Sequence, residues 1–101
     1  MPTIQLGQLA KKAKCPQKTV DHYVRRGLIP FTTGENGYRL FDEEDALARV
    51  GLIRAMLRRP INRDIEDIKK LFSNASIADL QAQHRSSTKQ LFRFLVDKGL
   101  I

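Results

Sequence analysis

The stretch Leu6-Gly7-Gln8-Leu9-Ala10-Lys11-Lys12-Ala13-Lys14-Cys15-Pro16-Gln17-Lys18-Thr19-Val20-Asp21-His22-Tyr23-Val24-Arg25-Arg26-Gly27 decides the fold. Leu6, Leu9, Ala10 and Ala13 recur at steps of three and four, the spacing that lines up side chains on one helix face. This predicts a short amphipathic helix over about Leu6–Ala13. Lys14-Cys15-Pro16 breaks it, and Pro16 suits the first turn of a second helix, where its missing N–H costs nothing. Val20, Tyr23 and Val24 give that helix an inner face, and Gly27 stops it. Two short helices joined by so tight a turn form a helix-turn-helix.

Downstream, Pro30-Phe31-Thr32-Thr33-Gly34-Glu35-Asn36-Gly37-Tyr38-Arg39-Leu40-Phe41 places aromatic and β-branched residues on both sides of a glycine-containing turn, as a β-hairpin wing requires. Asn36-Gly37 tolerates positive φ. Asp42 is suited to cap a helix whose stripe is Leu47, Val50, Ile53 and Leu57, ending at Pro60. Asn62 is the expected cap of a further helix carrying Ile65, Ile68, Leu71 and Phe72. After the polar break Ser73-Asn74-Ala75, Ser76 and Asp79 resemble a capping box, and Ile77, Leu80, His84, Ser87, Leu91 and Phe94 fall at 3-4 spacing. These predict one last helix reaching Asp97 or Lys98, ~33 Å long, with Gly99 as its stop. The fold class expected is thus mostly α: a winged helix-turn-helix with a small hairpin wing, following helices, and a C-terminal helix available for dimerisation. The expected domains are 1–72 for the winged helix-turn-helix and 73–101 for the C-terminal helix.

With 101 residues, 42% of them hydrophobic and 29% charged, the chain suits one small folded domain and argues against a mostly disordered one. No apolar run approaches the ~20 residues that span a bilayer. Met1-Pro2-Thr3 does not open a signal peptide, so a cytoplasmic, nucleoid-associated protein is expected, without a membrane partner. The net charge of +7 is unevenly spread. Residues 1–39 hold seven bases against two acids, 40–72 seven against seven, and 73–101 four against two. A positive field focused on the helix-turn-helix attracts polyanions and supplies the non-specific part of nucleic-acid affinity.

Four fragments, Ile4-Gln5-Leu6-Gly7-Gln8-Leu9-Ala10, Thr19-Val20-Asp21-His22-Tyr23, Gly27-Leu28-Ile29-Pro30 and Asn36-Gly37-Tyr38-Arg39-Leu40-Phe41, stand in the order and spacing of the MerR-type DNA-binding domain. The chain resembles that family over about its first seventy residues. Three departures accompany the resemblance. Asp21 stands where the family commonly has Arg, Val24 where it has Glu, and Lys14 where a Gly is usual in the turn. The family's usual operator preference therefore does not transfer. The resemblance also implies no sensor of its own, because family sensors carry their Cys pair or ligand domain beyond a long dimerisation helix.

On the second helix, Gln17, Lys18, Asp21, His22 and Arg25 share one face opposite Val20 and Val24. In a major groove Gln pairs with adenine, Lys or Arg with guanine, and Asp accepts from cytosine. Gln17, Lys18, His22 and Arg25 are the expected contacts. Asp21 is either a base reader or a negative filter, since its carboxylate repels phosphate and should point at base edges or at Arg25. Tyr23 and Arg39 match family positions that touch the DNA backbone, and a phenol or guanidinium suits phosphate. Thr19 either bonds phosphate or caps locally. Tyr38 is expected to pack on the core. Arg54, Arg58 and Arg59 form either a flanking phosphate contact or a solvated face.

Catalysis has little support. Cys15, the only cysteine, reads as a small buried thiol, and His22 and His84 have no ligand partners at metal spacing. No enzyme activity, cofactor or metal is expected. The expected partners are double-stranded DNA and a second copy of the chain, paired through the C-terminal helix unless that helix folds back on its own domain. RNA polymerase is the further partner if the protein is a transcriptional regulator. A recombinase replaces it if the protein is an excisionase-like architectural factor of a mobile element. A protein-binding adaptor is the third class.

Overall fold

The computed structural model describes residues 2–101. Strand β1 (Thr3–Gln5) leads directly into helix α1 (Leu6–Ala13), and helix α2 (Gln17–Arg25) follows after a three-residue turn. Strands β2 (Thr32–Thr33) and β3 (Arg39–Asp42) form the hairpin, followed by helix α3 (Glu43–Leu57). Helices α4 (Ile65–Asn74), α5 (Ile77–Ser86) and α6 (Thr88–Asp97) complete the chain. The expected mostly helical winged helix-turn-helix is present. Two compact units divide within α3, Met1–Gly51 and Leu52–Ile101.

In the first unit the three strands form one antiparallel sheet in the order β1-β3-β2. Ile4 faces Phe41 across the β1–β3 ladder, and Thr33 faces Arg39 across the hairpin. The helix pair packs through Leu9 and Ala10 of α1 and Val20, Tyr23 and Val24 of α2, all buried. Leu9, Val20 and Phe41 are fully inaccessible to solvent. Burying each such side chain contributes roughly 1.5–3 kcal/mol, so these few positions carry much of a thin core.

The turn between α1 and α2 is closed by Cys15 N–H donating to Ala10 O at 3.0 Å, with Lys14 left-handed at φ 55°, ψ 45°. Pro16 lies one residue earlier than expected, as the cap of α2 rather than within its first turn, and its carbonyl accepts from Thr19 and Val20 N–H. Gly27, at φ 79°, ends the second helix in the conformation that glycine adopts without a Cβ penalty. Asp42 caps α3 as expected, its Oδ1 accepting from Asp45 N–H at 3.2 Å. α3 buries Ala46, Ala48, Val50, Leu52, Ile53 and Met56, a wider set than the expected stripe, with Leu47 and Leu57 half-buried.

The second unit differs from the expectation at two caps. Asp64, not Asn62, caps α4, its Oδ1 accepting from Asp67 N–H at 2.9 Å. Asn62 instead turns the chain with φ 49°, a left-handed position that Asn tolerates better than most residues. Ser76 caps α5 as expected. The single long C-terminal helix is replaced by a hairpin of two ten-residue helices, α5 and α6, packed on each other. The break is at Ser87, extended at φ −177°, whose Oγ accepts from Gln90 N–H at 3.0 Å. Three successive hydroxyl residues, Ser86-Ser87-Thr88, bond readily to local backbone, which favours caps over helix interior. Leu80, Leu91 and Leu95 are fully buried.

Candidate nucleic-acid interface

The amphipathic spacing of α2 leaves one face in the core and presents the other to solvent. Gln17, Lys18, His22 and Arg25 are exposed, and Thr19 and Asp21 are half-buried at its margin. Five of the expected contacts from this helix thus share a continuous face with Asp21. Tyr23 does not. It is only 5% exposed, because it lies three residues from Val20 and next to Val24 on the inner side. Its ring belongs to the core, on the inner face expected for it with Val20 and Val24, and not to the exposed polar face of α2.

Tyr38 is the opposite case. It is 58% exposed instead of packed on the core. Tyr38 precedes β3 and stands outside the paired ladder, in the hairpin turn. Gly37, at φ 78°, and the bond from Gly34 N–H to Tyr38 O at 2.8 Å tighten the turn that presents it. Tyr38 and Arg39 line a surface cleft of about 370 Å³ together with Gln5, Leu6, Gly7 and Gln17. The wing and the start of α2 therefore meet at one concavity. Gln5, Leu6 and Gly7 were not among the sequence expectations; they reach the cleft through the β1–β3 pairing, which places the start of α1 beside the wing.

Charge is organised around Asp21. Its Oδ2 lies 2.9 Å from Arg25 Nε, one helical turn on, and its Oδ1 lies 2.9 Å from Arg39 Nη2 on the wing strand. Oδ1 is shielded from water and receives no aligned hydrogen bond, so its contact with Arg39 is an ion pair. The Arg39 guanidinium also sits 5.9 Å from the centroid of Phe31, which in turn lies 6.0 Å from Phe41. Its position is thus fixed from two sides. Nearby, Lys12 pairs with Glu43, and Arg49 pairs with Asp45 at 2.8 Å.

Thr19 N–H bonds Pro16 O at 3.0 Å, which closes the first turn of α2 through the backbone. Arg54 is half-buried and Arg58 and Arg59 are exposed; they belong to the second unit. Cys15 is buried as expected. Among the described residues, no three His, Cys, Asp or Glu side chains gather as a metal site, and no helix is long and apolar enough to cross a membrane.

No curated protein and no solved structure matches the chain. The family described as MerR HTH family regulatory protein matches it over residues 4–75, which takes in the helix-turn-helix, the wing, α3 and α4. With the two-helix reading unit, the hairpin wing and a match over most of its length, the chain belongs to the MerR HTH family of regulatory proteins.

Proposed function

We propose that this DNA-binding regulator reads a specific duplex site by placing α2 in the major groove and the wing against the phosphate backbone. The observation that carries the reading is the exposed polar face of α2, with Gln17, Lys18, His22 and Arg25 on it and Arg39 of the wing beside it. Gln and Lys or Arg are the side chains that discriminate adenine and guanine in that groove. Thr19 and Arg39 are assigned to phosphate, where they position the helix without reading sequence. The protein acts in the cytoplasm on the nucleoid, as a regulator that works with RNA polymerase.

It binds as a homodimer. The α5–α6 hairpin is assigned to the pairing, because α5 and α6 lie beyond the family match and α6 leaves Val96 47% exposed. Two copies related by a two-fold axis call for inverted half-sites about one helical turn apart or a multiple of it.

Selection from a random duplex pool, with the mass of the complex measured in the same buffer, tests both statements. Inverted half-sites and a mass of two chains are expected. Direct repeats point instead to head-to-tail assembly, as in an architectural factor that serves a recombinase. Absence of duplex binding at low salt sinks the DNA reading and favours a protein-binding adaptor. Arg39→Ala is expected to weaken all sequences about equally, whereas Gln17→Ala should relax preference at one base pair.

A further inference from the structure

Asp21 puts a negative charge in the middle of a surface built to meet a polyanion. Its carboxylate has 22% of its side-chain surface exposed, and both oxygens are occupied by guanidinium nitrogens at 2.9 Å. A carboxylate so engaged is not presented to a base edge. It already offers each arginine what a phosphate would offer: an anionic partner at ion-pair distance.

The two arginines are held differently. Arg39 has 33% of its side chain exposed and packs near Phe31, so its ion pair is partly shielded from solvent. Arg25 has 77% exposed and meets Asp21 through Nε. A guanidinium met at Nε still has its terminal nitrogens to offer as the fork that meets O6 and N7 of guanine.

We infer that Asp21 is a specificity-determining positioning residue that does not touch DNA: it competes with phosphate for Arg39 and orients Arg25 toward a base edge. The inference rests on the proposed duplex-reading function. Loose, sequence-independent binding depends on phosphate contacts, so it loses part of Arg39's charge to Asp21. A correct site regains affinity through the oriented Arg25 fork. Affinity for random DNA is thereby held down while discrimination is held up.

The test compares the 101-residue protein with Asp21→Asn, which keeps the size and shape of the side chain and removes the charge. Binding is measured by fluorescence anisotropy on the selected duplex and on a scrambled duplex, over a series of salt concentrations. Melting by circular dichroism confirms that each variant is folded. For Asp21→Asn the scrambled duplex should bind several-fold tighter, with a log–log salt slope steeper by about one. The ratio of specific to scrambled affinity should fall by roughly tenfold, within the range one bidentate base contact supplies. In an Arg39→Gln background the same substitution should give less than half of that gain on scrambled DNA.

Three results overturn the inference. Loss of affinity confined to sites with a cytosine at one position, with an unchanged salt slope, makes Asp21 a base reader. Uniform weakening on every duplex with the slope unchanged gives it a purely structural role. Failure of the parent protein to bind any duplex at low salt removes the DNA reading itself, and the inference with it; that arm is read first, which separates the two failures.

Discussion

Arg49 of α3 donates through Nη1 to the main-chain carbonyl of Leu28 at 3.0 Å, while its Nε holds Asp45 at 2.8 Å. Leu28 begins the segment that leaves α2 for the wing, and Leu28 and Ile29 are both almost wholly buried. One guanidinium thus fixes the α2–wing connection to α3. Arg49→Met keeps most of the stem's packing and removes both bonds. Part of the ion pair is screened, so a loss of about 1–2 kcal/mol is expected rather than the full value of two charge-assisted bonds. In a domain of this size that lowers Tm by roughly 5–15 °C. A thermal melt within a degree of the parent's rules out a stabilising clamp.

Lys14 carries φ 55° at the turn between α1 and α2, in the region that costs an L-residue roughly 1–2 kcal/mol. The lysine side chain is exposed, and the turn is closed by the backbone bonds from Lys14 N–H to Lys11 O and from Cys15 N–H to Ala10 O. Lys14→Gly is expected to stabilise the protein by about 0.5–1 kcal/mol, the relief being reduced by glycine's greater freedom in the unfolded chain. Urea unfolding checks this: the midpoint should rise with the m-value unchanged. A lower midpoint would mean that the lysine side chain stabilises the turn.

The contrast between Lys14 and the tyrosines shows what the sequence made legible. Periodicity located both helices of the reading unit, and glycine and proline marked their ends, because these signals depend on local backbone sterics. Asp42 and Ser76 were legible as caps for the same reason. Tyr23 was legible as part of the inner face with Val20 and Val24, because helical spacing alone puts the three together. Tyr38 was misplaced because an aromatic in a hairpin reads as core until the strand register is known, and only the pairing with β1 and β2 fixes that register. The Asp21–Arg39 ion pair joins residues eighteen positions apart on different elements, and no local pattern announces it.

The opposite burial of the two tyrosines gives a paired expectation. Tyr38→Ala removes a side chain that is 58% exposed, so stability should stay within about 0.5 kcal/mol of the parent. Its place in the cleft beside Gln17 and Arg39 means that duplex affinity should fall several-fold. Tyr23→Ala removes a ring that is 5% exposed and should cost about 3–5 kcal/mol, enough to unfold a marginal domain. Circular dichroism and anisotropy on the same samples separate the two effects. A stable Tyr23→Ala protein that merely loses affinity contradicts the core assignment.

Ser87 sets the length of the C-terminal helices. Its Oγ accepts from Gln90 N–H, its backbone is extended, and with it the chain turns back so that α5 packs on α6. Ser87→Ala deletes the cap and inserts the strongest helix former at the break, so both changes favour one continuous helix. The lost cap alone should cost about 1 kcal/mol. A continuous helix also pulls α6 away from α5 and uncovers Leu80, Leu91 and Leu95, all fully buried in the hairpin. Exposed leucines at that spacing favour pairing between copies, so the variant's mass should shift toward higher oligomers with concentration. Ser87→Asp keeps a capping oxygen and adds a charge that suits the start of α6, so it should behave like the parent. Melts and sedimentation on the three proteins decide the matter: if Ser87→Ala matches the parent in both, packing between α5 and α6, not the cap, makes the break.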